Sequence, residues 1–418
     1  MASPLNSSSG QVGRNLKDVK LVNRAVVFRS IREAGAISRA ELAKRTGLNP
    51  STLTHITRSL LEQGLIEEAG LTGSGKGRPS SLLRIRSQQG YVVAVRLARH
   101  NLQGMLTDLD LQRVTRQTIT SSSLSHPVST TLPALLGLIQ TLISEAGVDR
   151  EKIRGVGICA PGPLDARRGA LISPPDFPGW SNLPISEIVE RETGLPVFLD
   201  NDANAAALAE KWFGVARDLD NFAYILMEDG IGGGIVINGD VYGGDHSVAG
   251  EIGHTTVELN GERCGCGNRG CLELYAAPVV AERRVYEAIT SGQESLVEEL
   301  VEGQLDRITF ELVAQAALQN DRVALDVLNA IADALAVGVV NVINAFDPHA
   351  VVLGGKIGLV GDLILNRVQE QVSQRCMSHG EQPIPTLLSG LGTDALVIGA
   401  FSLVLRELFQ SSGFRETD

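Results

Sequence analysis

The sequence contains no uninterrupted run of about eighteen apolar residues, so it shows no evident membrane-spanning helix and no membrane insertion is expected. Its first residues, MASPLNSSSG, lack a basic segment followed by an apolar one, which argues against a secretory signal. Their Ser, Gly and Asn content reads as a disordered tail over residues 1–15. Five cysteines in 418 residues are too few and too unevenly spaced for a disulfide framework. Three of them crowd at Cys264, Cys266 and Cys271, a pattern that fits a reducing cytoplasm and a metal site. Cys159 and Cys376 stand alone and read as small buried hydrophobes. What remains is ordinary: 43% hydrophobic and 20% charged residues, with length for two or three domains at about 150 residues each.

Charge is divided along the chain. The first ninety residues hold 14 Lys+Arg against 6 Asp+Glu, a net of +8, while the remainder carries −19 of the overall −11. Nucleic-acid binding needs local positive charge to displace counterions from phosphates, so the split suggests a basic DNA-binding module on an acidic body.

The basic part has the pattern of a winged helix-turn-helix over residues 16–86. Leu21, Ala25 and Phe28 share one helical face. Ser38 and Glu41 form a capping box for a second helix, and a Thr46-Gly47-Leu48 turn follows. Asn49 then caps a third helix, with Pro50 at its first position, where the missing N–H is harmless. On that helix Leu53, Ile56 and Leu60 point one way, and Ser51, Thr52, Thr54, His55 and Arg58 form the polar side. Small hydroxyl residues permit close approach to a major groove, while His55 and Arg58 can donate to bases or phosphates. Residues 65–68 and 82–85 read as wing strands around a basic, glycine-rich tip with Lys76 and Arg78. A helical protein-interaction module is the competing reading, but caps, turn, polar face, wing and charge agree on DNA.

Beyond Gly90 strands alternate with helices, which implies an α/β body with mixed sheets. Strands are expected at 91–95, 102–109, 155–160, 197–199 and 351–355, with a long helix over 324–346. Residues 222–227 and 235–238 are expected to form a hairpin around the glycine-rich segment 229–234. Cys264, Cys266 and Cys271 supply three thiolates on a loop where Gly265, Gly267 and Gly270 permit tight wrapping. Structural zinc takes four tetrahedral Cys/His ligands, and His254 is the natural fourth. Such a closed shell leaves no open position for catalytic water.

The chain resembles the ROK family of repressors, open reading frames and sugar kinases, from about Leu16 to about Leu408. The most specific match is Glu251-Ile-Gly253-His254 followed by Cys264-Gly-Cys266-Gly-Asn-Arg-Gly-Cys271-Leu-Glu273. The closest similarity is to its repressor branch, which includes glucose- and N-acetylglucosamine-responsive regulators. The resemblance implies a two-lobed actin-like, ribonuclease H-like sugar-kinase domain. The small lobe would span 88–203 plus 388–410, and the large lobe 204–387 with the zinc loop and the dimer interface. It also implies that Asn201, Asp202, Glu251, His254 and Glu273, with Asn182 as an addition, surround one sugar. These are side chains that give and take hydrogen bonds. In the family's kinases the position of Asp202 is the general base.

The phosphate turns depart from the kinase pattern. Where the kinases carry Asp-x-Gly-Gly-Thr, this chain has Arg96-Leu97-Ala98-Arg99-His100. Where they carry Gly-Thr-Gly-Ile-Gly, it has Glu228-Asp229-Gly230-Ile231-Gly232. Both changes oppose ATP, because phosphoryl transfer depends on positioning phosphates and magnesium. The reading is therefore a cytoplasmic, nucleoid-associated, zinc-containing repressor without kinase activity. It binds a double-stranded operator as a homodimer or tetramer and is released by a sugar or sugar phosphate. A bifunctional kinase with a DNA head, a regulator switched by a sugar-transporter protein and an activator are the alternatives.

Overall fold

The computed structural model describes residues 16–71, 80–99, 101–120, 127–174, 179–377 and 383–410. The expected tail, the wing tip with Lys76 and Arg78, and His100 lie outside the described residues. The chain divides into two units, residues 87–405 and a smaller one of residues 1–86 with 406–418.

The smaller unit contains α1 (Leu16–Ala34), β1 (Ile37–Ser38), α2 (Arg39–Thr46), α3 (Pro50–Glu62), β2 (Ile66–Leu71) and β3 (Ser81–Ile85). Local chemistry explains its boundaries. The Ser38 hydroxyl accepts from the Glu41 N–H at 3.2 Å and starts α2. Gly47, at φ 68, ends it with its N–H on the Ala43 carbonyl. The Asn49 Oδ1 accepts from the Thr52 N–H at 2.8 Å and starts α3. The three strands pair antiparallel in the order β1-β3-β2, the wing of a winged helix. Leu21, Phe28, Leu42, Leu53, Ile56, Leu60 and Leu65 form the core.

The end of the chain completes this core. The Phe409 ring lies 5.2 Å from that of Phe28. Arg24, buried, donates to the Phe409 carbonyl at 2.6 Å, to Ser59 Oγ at 2.6 Å and to Gln63 Oε1 at 3.0 Å. The sequence alone places all of 388–410 in the small lobe. Residues 406–410 belong instead with the smaller unit, because Phe409 fills its apolar core.

The larger unit begins with β4 (Tyr91–Leu97), β5 (Asn101–Asp108), β6 (Arg113–Thr120), α4 (Val128–Ala146) and β7 (Ile153–Ala160). It continues through β8 (Leu164–Asp165), β9 (Ala170–Leu171), α5 (Ile185–Thr193), β10 (Val197–Asn201) and α6 (Asp202–Phe213). The second half holds β11 (Phe222–Met227), β12 (Ile231–Ile237), β13 (Asp240–Val241), α7 (Glu273–Ala276), α8 (Pro278–Thr290) and α9 (Leu296–Leu300). It ends with α10 (Phe310–Leu318), α11 (Arg322–Phe346), β14 (Ala350–Gly355), α12 (Asp362–Arg375), β15 (Thr386–Leu388) and α13 (Ala395–Gln410), whose last residues are counted with the smaller unit.

One topology occurs twice. The first sheet runs β10-β7-β4-β5-β6, and the second runs β13-β12-β11-β14-β15. In each, an antiparallel three-strand meander adds two parallel strands beyond its first strand. That duplication is the two-lobed architecture expected of the actin-like, ribonuclease H-like fold. Each lobe has its own core, one around Val95, Leu138 and Trp180, the other around Ile225, Leu335 and Leu353. The expected lobe boundaries shift in two places. Leu388 lies in β15 of the second sheet, and residue 203 falls inside α6, which packs on β12 and β11 as well as β10.

Two further expectations change. Gly232–Gly234 lie within β12 and not in the hairpin loop. A side chain at Gly234 would meet the Ala203 carbonyl at 2.5 Å and Ala207 Cβ at 2.7 Å, so this glycine lets α6 press onto the strand, while one at Gly233 would meet the Gly250 carbonyl and Ile252. Cys376 is half-buried at the edge of the second core, whereas Cys159 is fully buried, its thiol 3.2 Å from the Leu396 carbonyl. The helix α11 is long and apolar enough to cross a membrane by length and composition. Here Ile331, Leu335 and Val339 are fully buried along it, making it the central helix of the second core.

Candidate functional site

In the smaller unit α3 presents one candidate surface. Leu53, Ile56 and Leu60 are buried, while Ser51, Thr54, His55 and Arg58 are exposed and Thr52 is half-buried. Two of these hydroxyls have local partners: Ser51 Oγ donates to Asn49 Oδ1 at 2.8 Å and Thr54 Oγ1 to the Pro50 carbonyl at 2.7 Å. They keep the face small and polar, which suits close approach of the helix to a groove.

In the larger unit the second site begins where β10 meets α6. The Asn201 Oδ1 caps α6, accepting from the N–H groups of Ala203 at 2.9 Å and Asn204 at 3.4 Å. The Asp202 Oδ1 also accepts from Ala203, at 2.8 Å. Desolvation is the main reason the Asp202 carboxyl is pushed up to about 7, with Arg96 opposing and Glu228 and Asp229 reinforcing the rise. Across from it, Arg96 Nη2 donates to Glu228 Oε2 at 2.6 Å; their side chains are only 10% and 13% exposed. Arg96, near the end of β4, is thus paired with the carboxylate that opens the Glu228-Asp229 turn.

A further cluster lies beside these groups. A side chain at Gly162, in the cis Gly162–Pro163 turn, would sit 3.2 Å from Asn201 Nδ2 and 3.5 Å from Glu251 Oε1. Asn201 and Glu251 therefore flank one turn. The Glu251 carboxyl is raised by desolvation, with His254 opposing and Glu273 reinforcing. The Glu273 Oε2 accepts from the Ile231 N–H at 3.3 Å and touches Gly230, joining this cluster to the Asp229-Gly230 turn. Asn182 is exposed in a left-handed bend at φ 51. Its N–H bonds the Ile172 carbonyl, and the Ile172 N–H bonds that of Pro163, which ties the bend to the same turn. Among the described residues, no hydrogen bond joins the Asn182 side chain to the cluster. Sequence reasoning missed the contribution of Gly162-Pro163, although a Pro-Gly-Pro segment directly after a buried strand is a signal for such a turn.

His254, Cys264, Cys266 and Cys271 form the third site. Their ligand atoms all lie within 4.8 Å of one another. Cys264 Sγ is 3.7 Å from His254 Nδ1, and Cys266 Sγ is 3.7 Å from Cys271 Sγ. Two thiolates about 2.3 Å from a tetrahedral ion would be ~3.8 Å apart, so the donor set fits one small cation. Gly270, at φ 62, must be glycine because any side chain would strike the Glu258 carbonyl. Gly267 also takes a positive φ, of 96, whereas Gly265 faces open space and imposes no such demand.

The ROK family description matches residues 92–407, three-quarters of the sequence. The chain belongs to the ROK family. The MarR family description matches residues 22–69, the helix-turn-helix. Among ROK relatives, the chain is 31% identical to the xylose repressor of Bacillus subtilis over 93% of its own length and 96% of that protein. It is 30% identical to the DNA-binding transcriptional dual regulator NagC of Escherichia coli, over 95% of each. The crystal structure of a ROK family transcriptional regulator, a homologue of the E. coli MLC protein, superposes with a TM-score of 0.77 at 29% identity. It covers 94% of this chain and 97% of that one. A ROK glucokinase from Streptomyces griseus, in complex with glucose and AMPPNP, superposes at 0.67 and 28% identity, over 74% of this chain and 98% of that one.

Proposed function

We propose that this ROK protein is a sugar-responsive transcriptional repressor that binds operator DNA through α3 and releases it when a sugar occupies the carboxylate-lined cleft. The observation that carries this reading is the helix-turn-helix, with its polar outer face, on the same chain as a complete ROK unit. Relatives named as repressors share that combination over nearly their whole length. Paired heads of a dimer would read two half-sites about one helical turn, or a multiple of it, apart.

In the cleft, Asn201 offers Nδ2 to the sugar because its Oδ1 is committed to the helix cap. Glu251 and Glu273 accept from hydroxyls. Asp202, half protonated near neutral pH, both accepts and donates. His254, with Cys264, Cys266 and Cys271, holds a zinc ion that fixes the loop, and its Nδ1 faces the thiols, which leaves Nε2 for a hydroxyl. The Arg96–Glu228 pair fills the place of kinase metal and phosphate groups, which supports a regulator without phosphoryl transfer. The sugar acts by binding the released state more tightly than the DNA-bound state, since only differential affinity can shift the balance.

The test is a titration of the zinc-loaded protein with a panel of sugars, alone and on labelled operator DNA, with ADP release followed in parallel. The expected result is one saturating sugar that lowers operator affinity, with no ADP formed. Sugar-dependent ADP release would establish the kinase reading instead.

A further inference from the structure

If the cleft binds a sugar, its charges restrict which kind. The cation best placed to meet a phosphate is already matched: Arg96 is held by Glu228 at 2.6 Å with both side chains nearly buried. A phosphate that captured Arg96 would leave the Glu228 carboxylate desolvated and unpaired, a costly state. The two backbone features that usually receive anions are also filled from within. At the N-terminus of α6, Asn201 and Asp202 both accept from Ala203. At the glycine turn, the Ile231 N–H is taken by Glu273.

Around these groups the balance is negative. Asp202 feels the charges of Glu228 and Asp229, and Glu251 feels that of Glu273. Five carboxyl groups, Asp202 among them half protonated, thus share the region with one paired arginine and with His254, which is neutral as a metal ligand. The neighbouring cations do not change this, because Lys356 is bound to Glu311 at 3.0 Å and Arg99 has an interaction of its own. A phosphate ester carries nearly two negative charges at neutral pH. An uncharged sugar offers hydroxyl donors, which is what carboxylates need.

We propose that the effector is an uncharged sugar, and that this protein rejects the phosphate esters of the same sugar by charge. The proposal rests on the sugar-cleft reading above and narrows it.

The test uses the full-length, zinc-loaded protein and matched pairs: xylose with xylose 5-phosphate, glucose with glucose 6-phosphate, and N-acetylglucosamine with its 6-phosphate. Calorimetry is expected to give saturable heat for one neutral sugar. Its ester should bind about a hundredfold more weakly, the effect of one unpaired like charge about 6 Å away at an effective dielectric of 20. In Asp229→Asn and Glu228→Gln the gap should narrow. Asp229→Asn breaks no observed ion pair, so it remains informative should Glu228→Gln fold poorly. An ester that binds as tightly as its parent sugar overturns the proposal and leaves the sugar cleft standing. A gap unchanged in a folded Asp229→Asn overturns the charge argument in the same way. Absence of binding by either member of every pair overturns the sugar cleft itself.

Discussion

Asp202 gives the most direct quantitative prediction. Its carboxyl titrates at about 7 in the folded chain, against an ordinary value of 3.8. Between those values the folded chain keeps a proton that the unfolded chain has released. Stability from this group is therefore greatest below pH 3.8 and declines as pH rises through about 7. Full expression of that span is worth about 4 kcal/mol, and because Asp202 is only half-buried, solvent reduces the figure to ~2 kcal/mol. Asp202→Asn keeps the oxygen that accepts from Ala203 and never charges. The variant should gain on the parent chain as pH is raised from about 5 to about 8, reaching ~2 kcal/mol, or a melting temperature about 4 °C higher. Differential scanning calorimetry on both proteins across that range measures the gap directly. A gap that stays constant with pH would refute the argument, since only a titrating difference can produce the slope.

Three further outcomes test other parts of the molecule. Leu60→Ala, which empties a fully buried position under α3, should destabilise the DNA-binding unit by about 2–5 kcal/mol. It should abolish operator binding in a mobility-shift assay while the sugar titration is unchanged. Arg58→Ala should weaken operator binding and reduce the slope of log affinity against log salt by about one, read by fluorescence anisotropy. Cys264→Ser should release the metal, seen by mass spectrometry as loss of one zinc per chain, and should lower the thermal stability of the larger unit.

Features set by neighbours in sequence were legible before any fold was known. The caps at Ser38 and Asn49 are local, and so is the spacing of Leu53, Ile56 and Leu60. The crowding of three cysteines near His254 needed only short-range counting. Features set by distant partners were not. Arg96 and Glu228 are 132 residues apart, and nothing in either turn names the other. Gly232–Gly234 read as a loop because glycine usually marks turns, and only the close approach of α6 at Gly234 and of Gly250 and Ile252 at Gly233 explains why a strand needs them. The place of Phe409 escaped for the same reason, since its core partner Phe28 lies almost a whole chain away.

That last contact bears on how the DNA-binding head can be prepared in isolation. A fragment ending at Arg86 contains every helix and strand expected of a winged helix, yet it lacks the residues beyond Leu405. In such a fragment Phe28 would lose its ring partner, and Arg24 would lose the carbonyl that receives its Nη1. Weak DNA binding by that piece would therefore describe an incomplete fold, not a weak recognition helix. A faithful minimal head would append residues 406–410 through a designed linker.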